Sequence, residues 1–375
     1  MADKVLIVGG GITGMQAATT LGQMGIPSIL LEKADRLGGR VRRLSRTFPF
    51  FDKAGFTDGA DFVAEIEEDL RACRLADVRL ETTVTSVKGN FPNFTIGFSN
   101  GRQEQASAIV LTTGFEPFDP TSLEEYGYGR YPNVVTAPEL EWMLNPRGPT
   151  GGQLLRPSDR KLVDRLALVF CVGSRNRRIG APFCSRICCS FSTKQAITVR
   201  ERNPNSLVVC FYIDVRTYDR GFEEMYSLAQ DRGVKYVRGR VSTCKELPDG
   251  SIGVKAENTL IQRPFWGEFD MVSLSTGMRP CADAEQLSQI LGVGRGPDGF
   301  FVCQDWFRYP HDTTRPGIFV AGCAMGMKPI RNCLIDAGAV AARVAVVLGK
   351  GRGVQGCDTA SSSTSASASA ATPAP

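Results

Sequence analysis

Residues 4–33 constrain the fold more than any other part of the chain. KVLIVGG is an apolar run of strand length, GITGMQAATTLGQMG has helical spacing closed by Gly25, and IPSILLEK is a second apolar strand. This is a βαβ unit, and its strand-to-helix turn carries Gly9, Gly11 and Gly14 as G-x-G-x-x-G. The first glycine permits the tight turn, the second lets a pyrophosphate approach the backbone, and the third lets the helix lie close to the strand. The helix N-terminus that follows attracts phosphate. Glu32 closes the second strand, where a carboxylate reaches a ribose hydroxyl, and Lys33 beside it is taken as a further cofactor contact. With Ala17, Ala18 and Glu32 all in register, a dinucleotide-binding domain is the expected start of the chain.

Two later passages repeat the strand-to-glycine pattern: SAIVLTTGFEP at 107–117 and RPGIFVAGCAMG at 315–326, the latter leading into a helix from about Ile330 to Leu348. The material between them has its own α/β alternation. LALVFCVGS and SLVVCFYIDV read as parallel strands with the helix SFSTKQAITVRER between, EEMYSLAQDRG as a second helix, and DMVSLSTGMRP as a further strand. At 375 residues the chain exceeds one average domain. We expect an α/β fold with a discontinuous first domain, 1–150 and 281–350, and a Rossmann-like insert at 151–280. The Gly/Pro-rich stretch 145–160 is the expected crossover. The Ser/Ala-rich end, 351–375, is expected to be disordered.

A net charge of +5 carries no nucleic-acid footprint. No apolar stretch approaches the ~18 residues of a membrane span, and the start lacks the basic and apolar regions of an export signal. A cytoplasmic protein is expected. Twelve cysteines are many for that compartment, where clustered thiols more often bind metal or do chemistry than form disulfides. Cys171, Cys184, Cys188 and Cys189 crowd into CVGSRNRRIGAPFCSRICC, while the other eight are scattered, mostly in apolar contexts that suit small buried hydrophobes. Four thiols are the number an iron–sulfur cluster needs. Zinc also accepts four thiolates, so spacing alone leaves both open.

Leu37-Gly38-Gly39-Arg40, directly after Glu32, resembles the extension of FAD-binding flavoproteins that carry two dinucleotide-binding domains in a thioredoxin-reductase-like fold. Arg40 there can pair with the pyrophosphate. Thr113-Gly114, and Gly322 with Cys323, resemble the second and third FAD segments of that superfamily, which often has aspartate where this chain has Cys323. Pyridine nucleotide-disulfide reductases carry a second G-x-G-x-x-G/A in the insert; here LALVFCVGSRNRR keeps only Gly173 before an arginine-rich turn.

FCVGSRN, CSRICC and STKQA, with TFP, YIDVRT, YVRG, LSTGMRP and GIFVAGCAMG, resemble the flavin- and iron–sulfur-carrying subunit of heterodisulfide reductases over about 4–348. The resemblance implies FAD and one [4Fe–4S] cluster held by Cys171, Cys184, Cys188 and Cys189. It implies that Lys194 and a glutamate, for which we take Glu141, face the flavin. It also implies a homodimer and partner subunits in a heterodisulfide-reductase-like complex of the short, sulfur-oxidising kind, with a lipoate-binding protein. Electron relay is the expected role, and an autonomous NAD(P)H-linked FAD oxidoreductase is the alternative. His311, the only histidine, reads as a loop residue, and Arg175, Arg177 and Arg178 as counter-charges to the cluster or a partner-binding patch.

Overall fold

The structure, a computed structural model, describes residues 4–47 and 57–349. The tail 351–375 and most of the TFP segment lie outside the described residues.

Apolar residues on both faces of a strand demand cover on both sides, and the first sheet receives it. Its five strands run parallel in the order Ile318–Val320, Ala108–Leu111, Val5–Val8, Ser28–Leu31, Ala76–Arg79. Side chains alternate across the central strand with the period of two that a strand imposes. Val5 and Ile7 pack with Met15 of helix Ile12–Gln23 and Val340 and Val344 of helix Ile330–Val347. Leu6 and Val8 pack on the other side with Phe94 and Ile96 of an antiparallel three-stranded sheet and Leu287 of helix Ala284–Leu291. The three glycine-bearing passages, far apart in sequence, therefore meet in one sheet as expected.

The insert repeats this plan. Its parallel order is Lys235–Arg238, Leu207–Tyr212, Arg165–Val172, Met271–Thr276, Val134–Thr136. Leu166, Leu168 and Phe170 face Ala196, Ile197 and Val199 of helix Cys188–Arg202. Ala167, Val169 and Val172 face a second antiparallel sheet through Val254 and Phe269. Two boundaries differ from expectation. Val134–Thr136 already belongs to the second sheet, ahead of the expected start at 151. Three residues are too few to declare a strand by periodicity; the parallel partner Met271–Thr276 makes it one. Thr136 then opens helix Ala137–Leu144 through a reciprocal capping box with Glu139. The passage between domains is the antiparallel ribbon of Glu116–Pro117 with Met278–Arg279, and 145–160 is a run of turns within the insert. No helix among the described residues is long and apolar enough to cross a membrane.

Candidate functional site

Both sheets present their central strand's C-terminal end at a point where the strand order reverses, the place where open α/β sheets bind ligands. At the first such point the three glycines occupy three distinct environments. Gly9 has φ +115, and a side chain there would strike the Thr112 carbonyl. Gly14 touches strand backbone so closely that a Cβ would collide with the Gly9 carbonyl oxygen. Gly11 faces open space, with nothing within 4 Å of where its Cβ would stand. Gly14→Ala is therefore expected to cost about 1–3 kcal/mol by overpacking, more than the ~1 kcal/mol of helix propensity that alanine adds. Gly11→Ala should melt like the parent and lose bound dinucleotide. Thermal melts read alongside cofactor content separate the two.

The neighbouring expected residues converge on this turn. The Gly10 N–H donates to Glu32 Oε2 and the Ala34 N–H to Glu32 Oε1, each at 2.9 Å, so the carboxylate is held beside the glycine loop. Gly38 donates its N–H to the Gly10 carbonyl at 2.9 Å, and a Cβ on Gly39 would meet Gly11 Cα at 3.4 Å. Arg40 Nε donates to the Phe115 carbonyl at 2.8 Å with its guanidinium over the Phe115 ring. Thr113 lies against Gly9, Gly114 has φ +76, and Gly322 abuts Thr13 of the first helix. Lys33 stands apart, its Nζ paired with Asp283 at 3.0 Å on the surface.

At the second point stands the thiol turn. Pairing of Arg165–Val172 with Met271–Thr276 slips between Val169 and Val172, and inside the slip Cys171 adopts φ +61. A bulge re-aims a side chain. Phe170 and Cys171, although consecutive, consequently face the same side, toward helix Cys188–Arg202. Arg175 (φ +52) and Arg186 (φ +62) are left-handed as well. Such strain, on the order of 1–3 kcal/mol per residue, clusters where structure serves a site. Cys188 and Cys189 open the helix, buried with Cys171. The three thiols lie close enough to shift one another's titration. Donation from Cys188, against burial and with the Arg175 charge assisting, brings Cys171 down to about 7. Cys189 is lowered by the same neighbour, and Cys188 is pushed well above its ordinary value by both. Cys184 is half-buried, its sulfur accepting the Arg186 N–H at 3.3 Å. Arg175 Nη2 donates to Asp214 at 2.8 Å, while its Nη1 is buried with no hydrogen-bond partner among the described residues. Arg177 and Arg178 are exposed. Among the described residues, no three Cys, His, Asp or Glu side chains converge as ligands of a single metal ion.

Lys194 and Glu141, expected near one another only through a shared role, form a fully buried ion pair at 2.5 Å. Glu141 Oε1 also accepts from the Ser45 N–H at 2.6 Å and the Ser45 hydroxyl at 2.7 Å, and Oε2 accepts from Gln195 Nε2 at 2.9 Å. Lys194 Nζ donates further to the Arg46 carbonyl at 3.1 Å. Burial pushes the Glu141 carboxyl up, but the charge and hydrogen bond of Lys194 with those of Ser45 and Gln195 hold it below its ordinary value. Burial dominates at Lys194, whose ammonium sits below its ordinary value despite Glu141. Ser45 and Arg46 carry no motif that sequence reasoning could have used, and STKQA contains Gln195 without distinguishing it. They join the network because the loop after Gly39–Arg43 docks onto the insert, where Asn145 Nδ2 also donates to the Leu44 carbonyl at 3.0 Å. His311 is buried, with Nδ1 3.0 Å from the Val320 carbonyl, a structural contact at the strand end.

A model of the pyridine nucleotide-disulphide oxidoreductase family matches residues 3–343. The corresponding subunit of the H(2):CoB-CoM heterodisulfide,ferredoxin reductase of Methanothermobacter marburgensis is 32% identical over 93% of this chain and 64% of its own length. An iron-sulfur subunit of the CoB-CoM heterodisulfide reductase of Methanopyrus kandleri is 33% identical over 94% of this chain and 65% of its own. The chain thus spans less than two thirds of these relatives, and the resemblance to heterodisulfide reductases read from its motifs is borne out. Among solved structures, the thioredoxin reductases of T. acidophilum and Lactococcus lactis superpose with TM-scores of 0.61 and 0.62 at 17% identity, covering 92% of this chain and 96% and 99% of theirs. At that identity they speak to fold alone, and they bear out the thioredoxin-reductase-like architecture. The chain belongs to the pyridine nucleotide-disulphide oxidoreductase family, flavin-dependent oxidoreductases built on two dinucleotide-type domains.

Proposed function

We propose that the protein is a FAD- and [4Fe–4S]-containing electron-transfer subunit of a heterodisulfide-reductase-like complex, relaying electrons in disulfide or sulfur-compound redox chemistry such as sulfur oxidation. One observation carries this reading. At the second switch point a turn of cysteines stands where the first has its glycine loop, so the insert offers thiolates in place of a phosphate cradle. Bound together, a flavin and a cluster would supply two-electron and one-electron exchange in one chain.

Gly9, Gly11, Gly14, Glu32, Gly39, Arg40, Thr113, Gly114 and Gly322 would hold FAD, with the open space at Gly11 left for its pyrophosphate. Cys171, Cys184, Cys188 and Cys189 would hold the cluster. The donor chemistry fits: the thiols of Cys171 and Cys189 are shifted below the ordinary thiol value, toward the thiolate a metal centre requires, and Cys188 and Cys189 sit at a helix N-terminus. The Arg175 Nη1 donor, buried and without a partner among the described residues, offers the counter-charge that a buried anionic centre needs. Lys194 would act at the flavin with its ammonium fixed by Glu141 and the Arg46 carbonyl. The relatives' names as components of reductases support other subunits of such a complex as partners. A lipoate-binding protein and a homodimer belong to the same proposal, as does a cytoplasmic setting, which the eleven free cysteines among the described residues support.

Anaerobic purification followed by flavin, iron and sulfide analysis, with EPR of the reduced protein, tests the reading. Flavin, iron and acid-labile sulfide in one chain with a cubane EPR signal are expected. Flavin without iron, together with rapid NADPH oxidation by the isolated protein, would instead identify an autonomous NAD(P)H-linked oxidoreductase.

A further inference from the structure

Cys323 and Cys333 are two of the scattered cysteines, yet the fold brings their sulfurs to 3.6 Å. Cys323 lies in the short 3-10 turn Gly322–Met325 at the end of strand Ile318–Val320, and Cys333 in the first turn of helix Ile330–Val347. The same two segments are clamped by polar contacts: Asp336 accepts the Gly322 N–H at 3.0 Å and pairs with Lys328 at 2.5 Å. The sulfurs are thus held by a rigid corner.

We propose that Cys323 and Cys333 are a redox-active dithiol that closes to a disulfide when oxidised by a hydroperoxide. The approach needed is about 1.5 Å, from contact distance to the ~2.05 Å of a covalent bond, within the reach of side-chain rotation. Roles are set by environment. The hydrogen bond from Cys333, against burial and with the nearby Lys328 charge, lowers Cys323, while Cys333 is raised well above its ordinary value. Cys323 is therefore the attacking thiolate and Cys333 the resolving thiol. The Cys323 thiolate attacks one peroxide oxygen, the O–O bond breaks, and a sulfenic acid forms as hydroxide leaves. Cys333 passes its proton to that hydroxide, giving water, and its sulfur displaces the sulfenic hydroxyl, which leaves as hydroxide and gains the proton first lost by Cys323. Two thiols lose two electrons and two protons; one peroxide becomes two waters. The bond would tie the Gly322 turn, one of the three segments proposed for FAD, to the helix behind it.

The pair can be read directly on the full-length, anaerobically prepared protein. Arg331 lies between the two cysteines, so trypsin separates them into peptides that only the disulfide joins. After graded hydrogen peroxide and alkylation under denaturing conditions, mass spectrometry should find the joined peptides before Cys73, a half-buried solitary thiol, reacts. A dithiol reductant should release them. In Cys333→Ser the linkage should be lost and Cys323 should proceed to sulfinic acid. The proposal is overturned if Cys73 oxidises first while both cysteines remain alkylatable, or if Cys323 in the parent accumulates sulfinic acid without ever forming the link. Neither outcome depends on iron content, so the test stands apart from that of the proposed function.

Discussion

Serine at both Cys188 and Cys189 is expected to strip iron and sulfide from the anaerobically prepared protein while leaving its flavin in place. The separation follows from the two switch points: the thiols stand on the insert's helix, and the glycines and Glu32 on the first domain's turn. Serine is nearly isosteric, and both positions are buried, so the fold should survive. A hydroxyl is a poor ligand to iron, and a cubane centre depends on its thiolates. Cys210, equally buried one strand away, provides the control, because Cys210→Ser removes a thiol without touching the turn. Iron content unchanged by the double substitution would refute the cluster assignment. Flavin lost together with iron would show that the two sites depend on one another.

Breaking the buried pair should cost the fold much of its stability. Truncating one partner of a buried ion pair costs about 3–5 kcal/mol, because the other charge is left without compensation. The two single variants are not equivalent. Lys194→Met leaves Glu141 with its Ser45 and Gln195 donors, whereas Glu141→Leu leaves Lys194 with the Arg46 carbonyl as its acceptor. Glu141→Leu is therefore the costlier of the two. Its penalty has a definite pH dependence. Burial already holds the Lys194 ammonium below its ordinary value of 10.5, and losing the carboxylate lowers it further. The unfolded chain then binds more protons than the folded one, so stability rises with pH between the depressed folded value and 10.5. The double variant, apolar at both positions, should recover most of the loss. Chemical denaturation of the three variants across that range checks both the ranking and the sign; a Glu141→Leu protein whose stability falls with rising pH would contradict the geometry.

Much of this was legible without coordinates. The βαβ unit, the three glycines, Glu32 and the Leu37-Gly38-Gly39-Arg40 extension are local patterns, because a phosphate-binding turn is built from one short stretch whose backbone demands are written in residue types. The central strands of both sheets announced themselves as apolar runs for the same reason, being covered on both faces. What escaped was set by contacts distant in sequence. The strand Val134–Thr136 exists because Met271–Thr276 pairs with it. Glu141 becomes the centre of a buried network only because Ser45, 96 residues away, folds onto it.

The order of amino acids was enough for a dinucleotide-type flavoprotein fold and for the four crowded thiols, since both rest on spacings short enough for local geometry to dictate. Three features needed the folded chain: the side that Cys171 faces, the buried donor that Arg175 holds in reserve, and the meeting of Cys323 with Cys333. Each depends on strand register or on the packing of distant segments, which no run of neighbouring residues encodes.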